Sequence, residues 1–352
     1  MEKISLKHQK IISYFLQKGS MSSSALHSEL LKNGEEMALV TVKRTLSFLS
    51  KEKILKTVGT GRSTTYDVTV KGRIFAEVNA EEYFSVEPDK RYGLSKFNFE
   101  LLRDFPTDIF TNEETQTLEN ATVVYKKRTA DLPLSIQKKE LERMIIELSW
   151  KSSKIEGNTY SLLETEELIM KNKESPGHDK KETMMILNHK DAFTFIHENS
   201  SIFKTLNRAN LEKLHAILVK DLSVNTGFRK KPVGVTGSKY LPLDNIHQIE
   251  EATEKLSLVI SQIPSLYAKS LISLLGLSYI QPFEDGNKRT SRLFANAMLL
   301  AHNLSPLSYR SVDENEYKKA TLLFYELNSI MFFKKIFIEQ YEFAAKNYAV
   351  QS

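Results

Sequence analysis

The amino-acid sequence predicts a mostly α-helical protein in two units: a small basic N-terminal unit of mixed α and β structure, and a larger helical unit broken once by a short β-hairpin. Three observations predict this. Apolar residues recur at three- and four-residue spacing along most of the chain beyond about residue 97. Between residues 54 and 70 the period changes to two. Charge is also divided, because residues 1–73 carry thirteen Lys and Arg against six Asp and Glu, a net +7, while the remainder holds 36 against 38, a net −2. A chain of 352 residues exceeds what one hydrophobic core usually serves. Its 41% hydrophobic and 26% charged residues are those of an ordinary globular protein, and no run reaches the roughly 20 apolar residues of a membrane span. The opening MEKISLKHQKIISYF is amphipathic and lacks the charged-then-apolar pattern of an export signal. Zero cysteines exclude a disulfide framework and thiolate chemistry. A cytoplasmic protein with no membrane partner is expected.

The elements follow in order. Helices are predicted at about Lys7–Lys18, Ser22–Lys32 and Leu39–Lys53, with apolar sets such as Ile11, Tyr14 and Phe15, and Val42, Leu46 and Leu49. Ser22–Ser24 offer N-caps and Gly34 a stop. Ile54, Lys56 and Val58 then alternate, GTGRST turns, and Thr65, Tyr66, Val68 and Val70 return as a second strand. Three short helices and a basic hairpin resemble a winged helix-turn-helix over residues 1–75. Its third helix shows Thr41, Lys43, Arg44 and Ser47 outward, and Arg62 stands at the wing tip. Such a helix reads base edges while the wing grips phosphates, so DNA is one expected partner; solvation, protein docking or pairing into a homodimer would use the same residues. Residues 76–100, with Pro88 and Gly93, read as a linker. Helices follow near 113–127, 137–151, 162–171, 181–198, 208–218, 246–262, 268–279, 290–302 and 314–327, filling a unit at 101–330, with a last helix in 331–352. Only Val233–Leu243 interrupts them, where Val235, Thr236, the turn Gly237–Ser238–Lys239 and Tyr240 suggest a hairpin.

Between two apolar helices lies QPFEDGNKRTSR, Gln281–Arg292. Asp285, Gly286 and Asn287 at the mouth of the second helix place free backbone N–H groups at its positive end, and Gly286 removes a Cβ that would block close approach. Arg289 and Arg292, three apart, share a helix face and can clamp phosphate oxygens. Asp285 suits Mg²⁺, which is usually held by one or two carboxylates plus phosphate oxygens. An aspartate N-cap followed by surface arginines would explain each residue singly; the ordered combination points to a phosphate cradle.

This stretch resembles the signature of Fic (Fic/Doc) domains: His, any residue, Phe, any residue, Asp or Glu, Gly, Asn, Gly or Lys, Arg, two residues, Arg. Phe283, Asp285, Gly286, Asn287, Lys288, Arg289 and Arg292 fit it. SSKIEGN, Ser152–Asn158, with Ser152, Glu156 and Gly157, resembles the family's inhibitory helix motif. The segment Val235, Thr236, Gly237 and Ser238 resembles the flap that aligns a target side chain, and Gly227–Arg229 the residues ahead of it. The resemblance spans about 101–327 and implies an all-helical Fic domain acting as a protein adenylyltransferase. ATP and Mg²⁺ are the implied cofactors, and AMP would pass to a Ser, Thr or Tyr hydroxyl of a target protein. It further implies that Asp285 holds Mg²⁺, that the amides around Gly286 and Asn287 cradle the α-phosphate, and that Arg289 and Arg292 take the β- and γ-phosphates. Phe283 would anchor the loop. Glu156 would reach Arg292 and displace the γ-phosphate, since a carboxylate on that guanidinium competes with phosphate.

One departure is decisive. Gln281 stands where the family's catalytic His belongs. A general base must titrate near neutral pH; an amide cannot accept the proton, and losing such a base typically forfeits about 10²- to 10⁴-fold in rate. His189 and His215 lie within helical patterns, and the sequence places neither at the loop. Lys288 also matters, because Doc-type members with Lys there transfer a phosphoryl group. Three functions stay open: an adenylyltransferase of reduced or altered activity, a nucleotide sensor that regulates transcription through the winged helix, and a hydrolase that removes AMP with water held by Glu156.

Overall fold

The computed structural model describes residues 4–350, apart from the side chain of Arg62. The N-terminal unit holds α1 (Leu6–Lys18), α2 (Ser23–Lys32), α3 (Leu39–Lys51), β1 (Leu55–Val58) and β2 (Thr65–Val68). Ser5 and Ser22 cap α1 and α2 through their side chains, and Gly19 ends α1 at φ +76°, a conformation that favours glycine. The two strands pair antiparallel with Leu55 opposite Val68, and Met21 adds an isolated bridge to Tyr66. Their turn is a single 3₁₀ turn, Gly61–Ser63. Ile11, Phe15, Leu26, Val42, Leu46, Leu49 and Val68 form a core of their own. Burying each such side chain contributes roughly 1.5–3 kcal/mol, which is how so short a segment holds a fold.

The next helices are α4 (Val70–Ile74), α5 (Ala80–Phe84), α6 (Phe99–Arg103), α7 (Asn112–Thr129), α8 (Leu134–Ile155), α9 (Leu162–Lys171) and α10 (Lys180–Glu198). They are followed by α11 (Arg208–Leu218), α12 (Ile246–Gln262), α13 (Leu266–Ile280), α14 (Asn287–Ala301), α15 (Glu314–Leu327) and α16 (Met331–Asn347). One continuous core runs through most of them from Val70 to Val350, while Tyr83 of α5 packs with Leu323 and Leu327, and Leu168 of α9 packs with Tyr160 and Ile186. At its centre α13 and α14 pack against each other along their length. Both are buried along almost their whole length; α13 has no polar stripe, whereas α14 turns Arg289, Arg292 and Asn296 to one face and buries them. Gly276 lets α12 approach, since a Cβ there would lie 2.5 Å from Leu256. No helix among the described residues is long and apolar enough to cross a membrane.

Two stretches differ from expectation. Residues 233–243 form no strand ladder: Ser238 N–H closes a turn onto the Val235 carbonyl at 3.2 Å, and Leu241 makes one parallel bridge with Lys96. Pro232 and Pro242 bracket the segment and supply no N–H, so a ladder lacks donors at both ends. The stretch 76–100, read as a linker from composition, contains α5 and a 3₁₀ turn at Pro88–Lys90, with Tyr83 and Arg91 buried.

Candidate functional site

The loop between α13 and α14 is held from within. Phe283 is fully buried, stacks face to face on His215 at 3.7 Å and meets Phe228 edge-on at 5.7 Å. Asn287 clasps the loop: its Oδ1 accepts from Phe283 N–H at 2.8 Å and its Nδ2 donates to the Phe283 carbonyl at 2.7 Å. The Asn287 side chain is therefore a loop fastener, and what it offers a ligand is backbone. Gly286 enters α14 at φ +76°, a Cβ on it would stand 3.3 Å from Val219, and no side chain caps the first turn of the helix. The positive end of α14 is thus left open to an anion.

Arg289 and Arg292 rise from this turn, and both are buried. The Arg289 Nη2 lies 3.7 Å from the exposed Asp285 carboxylate. Arg292 Nε donates to Ser152 Oγ at 2.9 Å, and its Nη2 donates to the Ser152 carbonyl at 2.9 Å and to Glu156 Oε1 at 2.8 Å. The Nη1 atoms of both arginines are buried without a hydrogen-bond partner. Lys288 Nζ stands 3.7 Å from the other Glu156 oxygen. Burial pushes the Glu156 carboxyl up, but Arg292, Lys288 and Arg289 outweigh it and hold the group below the ordinary carboxylate range.

Glu156 reaches this position because α8 ends there. Gly157 adopts φ +100° and donates to the Lys154 carbonyl at 2.9 Å, while Asn158 N–H returns to the Ser153 carbonyl at 3.1 Å. This double closure is a Schellman motif, and it fixes Glu156 as the C-cap of the helix. Ser152, one turn earlier, is buried against the same guanidinium.

A pocket of about 230 Å³ lies over the loop, lined by Asp285–Arg289, Gln281, Glu284, Glu156, Met185 and Val233–Thr236. Arg292 does not reach it, since Glu156 stands between. Val235 and Thr236 line the pocket, whereas Gly237 and Ser238 turn away toward Arg91 and Glu326. Gln281 ends α13 at φ +53°; its Nε2 donates to the Ser278 carbonyl at 2.7 Å and to Tyr325 Oη at 3.2 Å. Burial pushes the Tyr325 phenol up, so it stays protonated beside that amide.

Sequence reasoning missed three supports. His215 Nε2 meets the Asp285 carbonyl at 3.0 Å from beneath the loop, and burial pushes the imidazole down to about 4, so a neutral ring serves as donor. His189 is buried near both arginines and is lowered well below its ordinary value, by burial first and then by Arg292 and Arg289. Neither ring lines the pocket. Arg229 Nε donates to the Gln281 carbonyl at 2.7 Å and its Nη1 to the Lys231 carbonyl at 2.8 Å, sewing the loop to the start of the flap segment. A helical His or a loop Arg has no local signature for such contacts.

In the N-terminal unit Lys43, Arg44 and Ser47 are exposed together on α3 and Thr41 is half-buried; the side chain of Arg62 lies outside the described residues.

Residues 205–299 match the model of the Fic/DOC family. Several solved structures share the fold. A Fic-domain-containing signalling protein from Bacteroides thetaiotaomicron is 18% identical, covering 65% of this chain and 94% of its own, with a TM-score of 0.56. A Fic family protein from Desulfovibrio desulfuricans is 18% identical over 68% and 75% of the two chains, with a TM-score of 0.56. Fic-1 of C. elegans, residues 134–508, is 16% identical over 66% and 70%, with a TM-score of 0.54.

Proposed function

We propose that this Fic/Doc-domain protein binds ATP with Mg²⁺ and is a protein adenylyltransferase of reduced or altered activity, held off by Glu156. The observation that carries this is the Glu156 carboxylate on Arg292, beside an uncapped helix end and two buried guanidinium nitrogens without partners. An anion belongs in such a place, and an internal one already occupies part of it.

The residues present suit the group. The first-turn amides of α14 would receive phosphate oxygens, with Arg289 and, once Glu156 withdraws, Arg292 on the distal phosphates. Asp285 is the carboxylate available to a metal. Among the described residues no cluster of three His, Asp or Glu could hold one alone, as suits Mg²⁺ shared with phosphate. Bound Mg²⁺ would neutralise phosphate charge as a hydroxyl oxygen attacks the α-phosphorus and pyrophosphate leaves.

The proton of that hydroxyl is where this chain departs. Both N–H bonds of Gln281 are turned to Ser278 and Tyr325, and its amide has no basic lone pair to offer. The same fact favours a second reading, in which nucleotide is sensed without turnover and the N-terminal unit, read as a winged helix, takes the message to DNA. Lys43, Arg44 and Ser47 on one exposed face of α3 support that reading.

Incubation with labelled ATP and Mg²⁺ separates the two. Label incorporated by Glu156→Gly with Gln281 intact establishes a transferase and removes the sensor. Label that requires Gln281→His as well removes the transferase reading of the natural chain. An isotope in the α- or γ-phosphate tells adenylyl from phosphoryl transfer.

A further inference from the structure

Away from the phosphate site, Arg91 is enclosed as well. The Arg91 guanidinium is 3% exposed and lies 3.2 Å from the fully buried Glu326 carboxylate on α15. Around this pair the flap is tied down. Arg91 Nη2 donates to the Gly237 carbonyl at 2.6 Å, and Ser238 Oγ donates to Glu326 Oε1 at 2.6 Å. Lys239 Nζ donates to the Arg91 carbonyl, and Leu241 N–H to the Ser95 carbonyl at 2.9 Å. Tyr83 Oη donates to the second oxygen of Glu326 at 2.7 Å, and the guanidinium lies over Phe84 at 5.0 Å. Gly93, at φ +106°, permits this approach: a Cβ would stand 2.4 Å from the Glu326 carbonyl.

The same segment faces the N-terminal unit. Tyr92 meets Tyr83 edge-on at 5.0 Å, packs against the core of the N-terminal unit and lines one cleft with Gln17 of α1. Gln9 of α1 grips the backbone on either side of Ala76, donating to the Phe75 carbonyl at 2.8 Å and accepting from Glu77 N–H at 2.9 Å. A cleft of about 1000 Å³ opens between them, lined by Lys10, Tyr14 and Gln17 on one side and by Tyr83, Arg91 and Tyr92 on the other.

We propose that residues 83–96 are a clamp that sets the flap, with Arg91 and Glu326 as positioning residues, and that through Tyr92 and Gln17 the N-terminal unit governs that clamp. This rests on reading Val235–Ser238 as the segment that aligns a target hydroxyl. The physical basis is the buried pair. With it made, Gly237 and Ser238 are fixed at both of their polar anchors; with either partner lost, a charge is left enclosed and the flap is released. The flap is bonded to this element directly, and α1 faces it across the cleft.

Hydrogen exchange on the full chain tests this, read in peptides covering 233–241 and 287–301. In Arg91→Met, amides in 233–241 should exchange roughly tenfold faster or more, the effect of losing one charged hydrogen bond, with 287–301 unchanged. Arg91→Lys should recover part of the protection. Gln17→Ala, which touches no flap residue, should also quicken 233–241. If Arg91→Met does not fold by circular dichroism, Ser238→Ala and Gln17→Ala decide alone. Unchanged exchange at 233–241 in those two folded variants overturns the clamp. Binding of fluorescent ATP is measured in parallel on the unmodified chain: its failure would remove the nucleotide reading while the exchange data still judge the clamp.

Discussion

Replacing Glu156 with glycine strips the Arg292 guanidinium of its only carboxylate partner among the described residues, and the cost can be bounded. Breaking a buried ion pair from one side costs about 3–5 kcal/mol. Here Arg292 keeps two bonds to Ser152 and lies 5.4 Å over the Tyr317 ring, while the Glu156 side chain is 19% exposed at the pocket, so water enters when it leaves. A loss of roughly 2 kcal/mol follows, equivalent to a melting point about 2–4 °C lower for a chain of this size. ATP should reverse the order. The vacated guanidinium gains a phosphate, a charge-assisted contact of roughly 1.5–3 kcal/mol that tightens binding about 10- to 100-fold. Trp150, the chain's single tryptophan, sits on α8 and donates to the Tyr160 carbonyl at 3.1 Å, so its fluorescence reports this helix during melting. Without nucleotide the variant melts below the unmodified chain; with ATP and Mg²⁺ it shows the larger upward shift. Because Glu156 is held below the ordinary carboxylate range, the pair's stabilisation is present above that range and is lost as pH falls through the depressed value, so the difference without nucleotide should vanish in acid. Equal ATP shifts in both proteins, or a glycine variant without nucleotide as stable as its parent, would refute this account.

Gly286→Ala places a Cβ at φ +76° and 3.3 Å from Val219, costing about 1–2 kcal/mol in backbone strain and closing the anion cradle; calorimetric titration with ATP should show weakened binding. His215, pushed down to about 4, refuses a proton that the unfolded chain accepts from about 6.5 downward, so stability falls as pH drops across that window, by up to roughly 3 kcal/mol. His215→Phe keeps the stack on Phe283 and should flatten this part of the urea-stability profile followed at Trp150; an unchanged slope would count against it. For the N-terminal unit, Lys43→Ala with Arg44→Ala should abolish a DNA mobility shift or reduce its salt slope by about 1 for each phosphate no longer neutralised.

Much of this is legible in the sequence because it is local. Helical period, serine caps, the change to period two and the order Phe283–Asp285–Gly286–Asn287–Arg289–Arg292 are all written within a few residues of where they act. The Schellman end of α8 follows from one glycine, Gly157, after a helical run. The flap is the exception, and for an equally local reason: its alternation points to a strand pair, and the two flanking prolines overrule it.

Contacts between distant segments belong to the tertiary structure. That Arg292 commits its guanidinium to Ser152 and Glu156, 140 and 136 residues away, depends on how α8 crosses α14. His215 under Asp285, Arg229 across the loop and Arg91 against Glu326 arise in the same way, each a polar group buried only because a remote segment supplies its partner. Sequence by itself supplied the ordered residues on which the phosphate-cradle proposal rests and showed that Gln281, an amide, is no base. Only the packed chain decided which of those groups are already occupied, because desolvation obliges every enclosed charge to find its counterpart wherever the fold brings one.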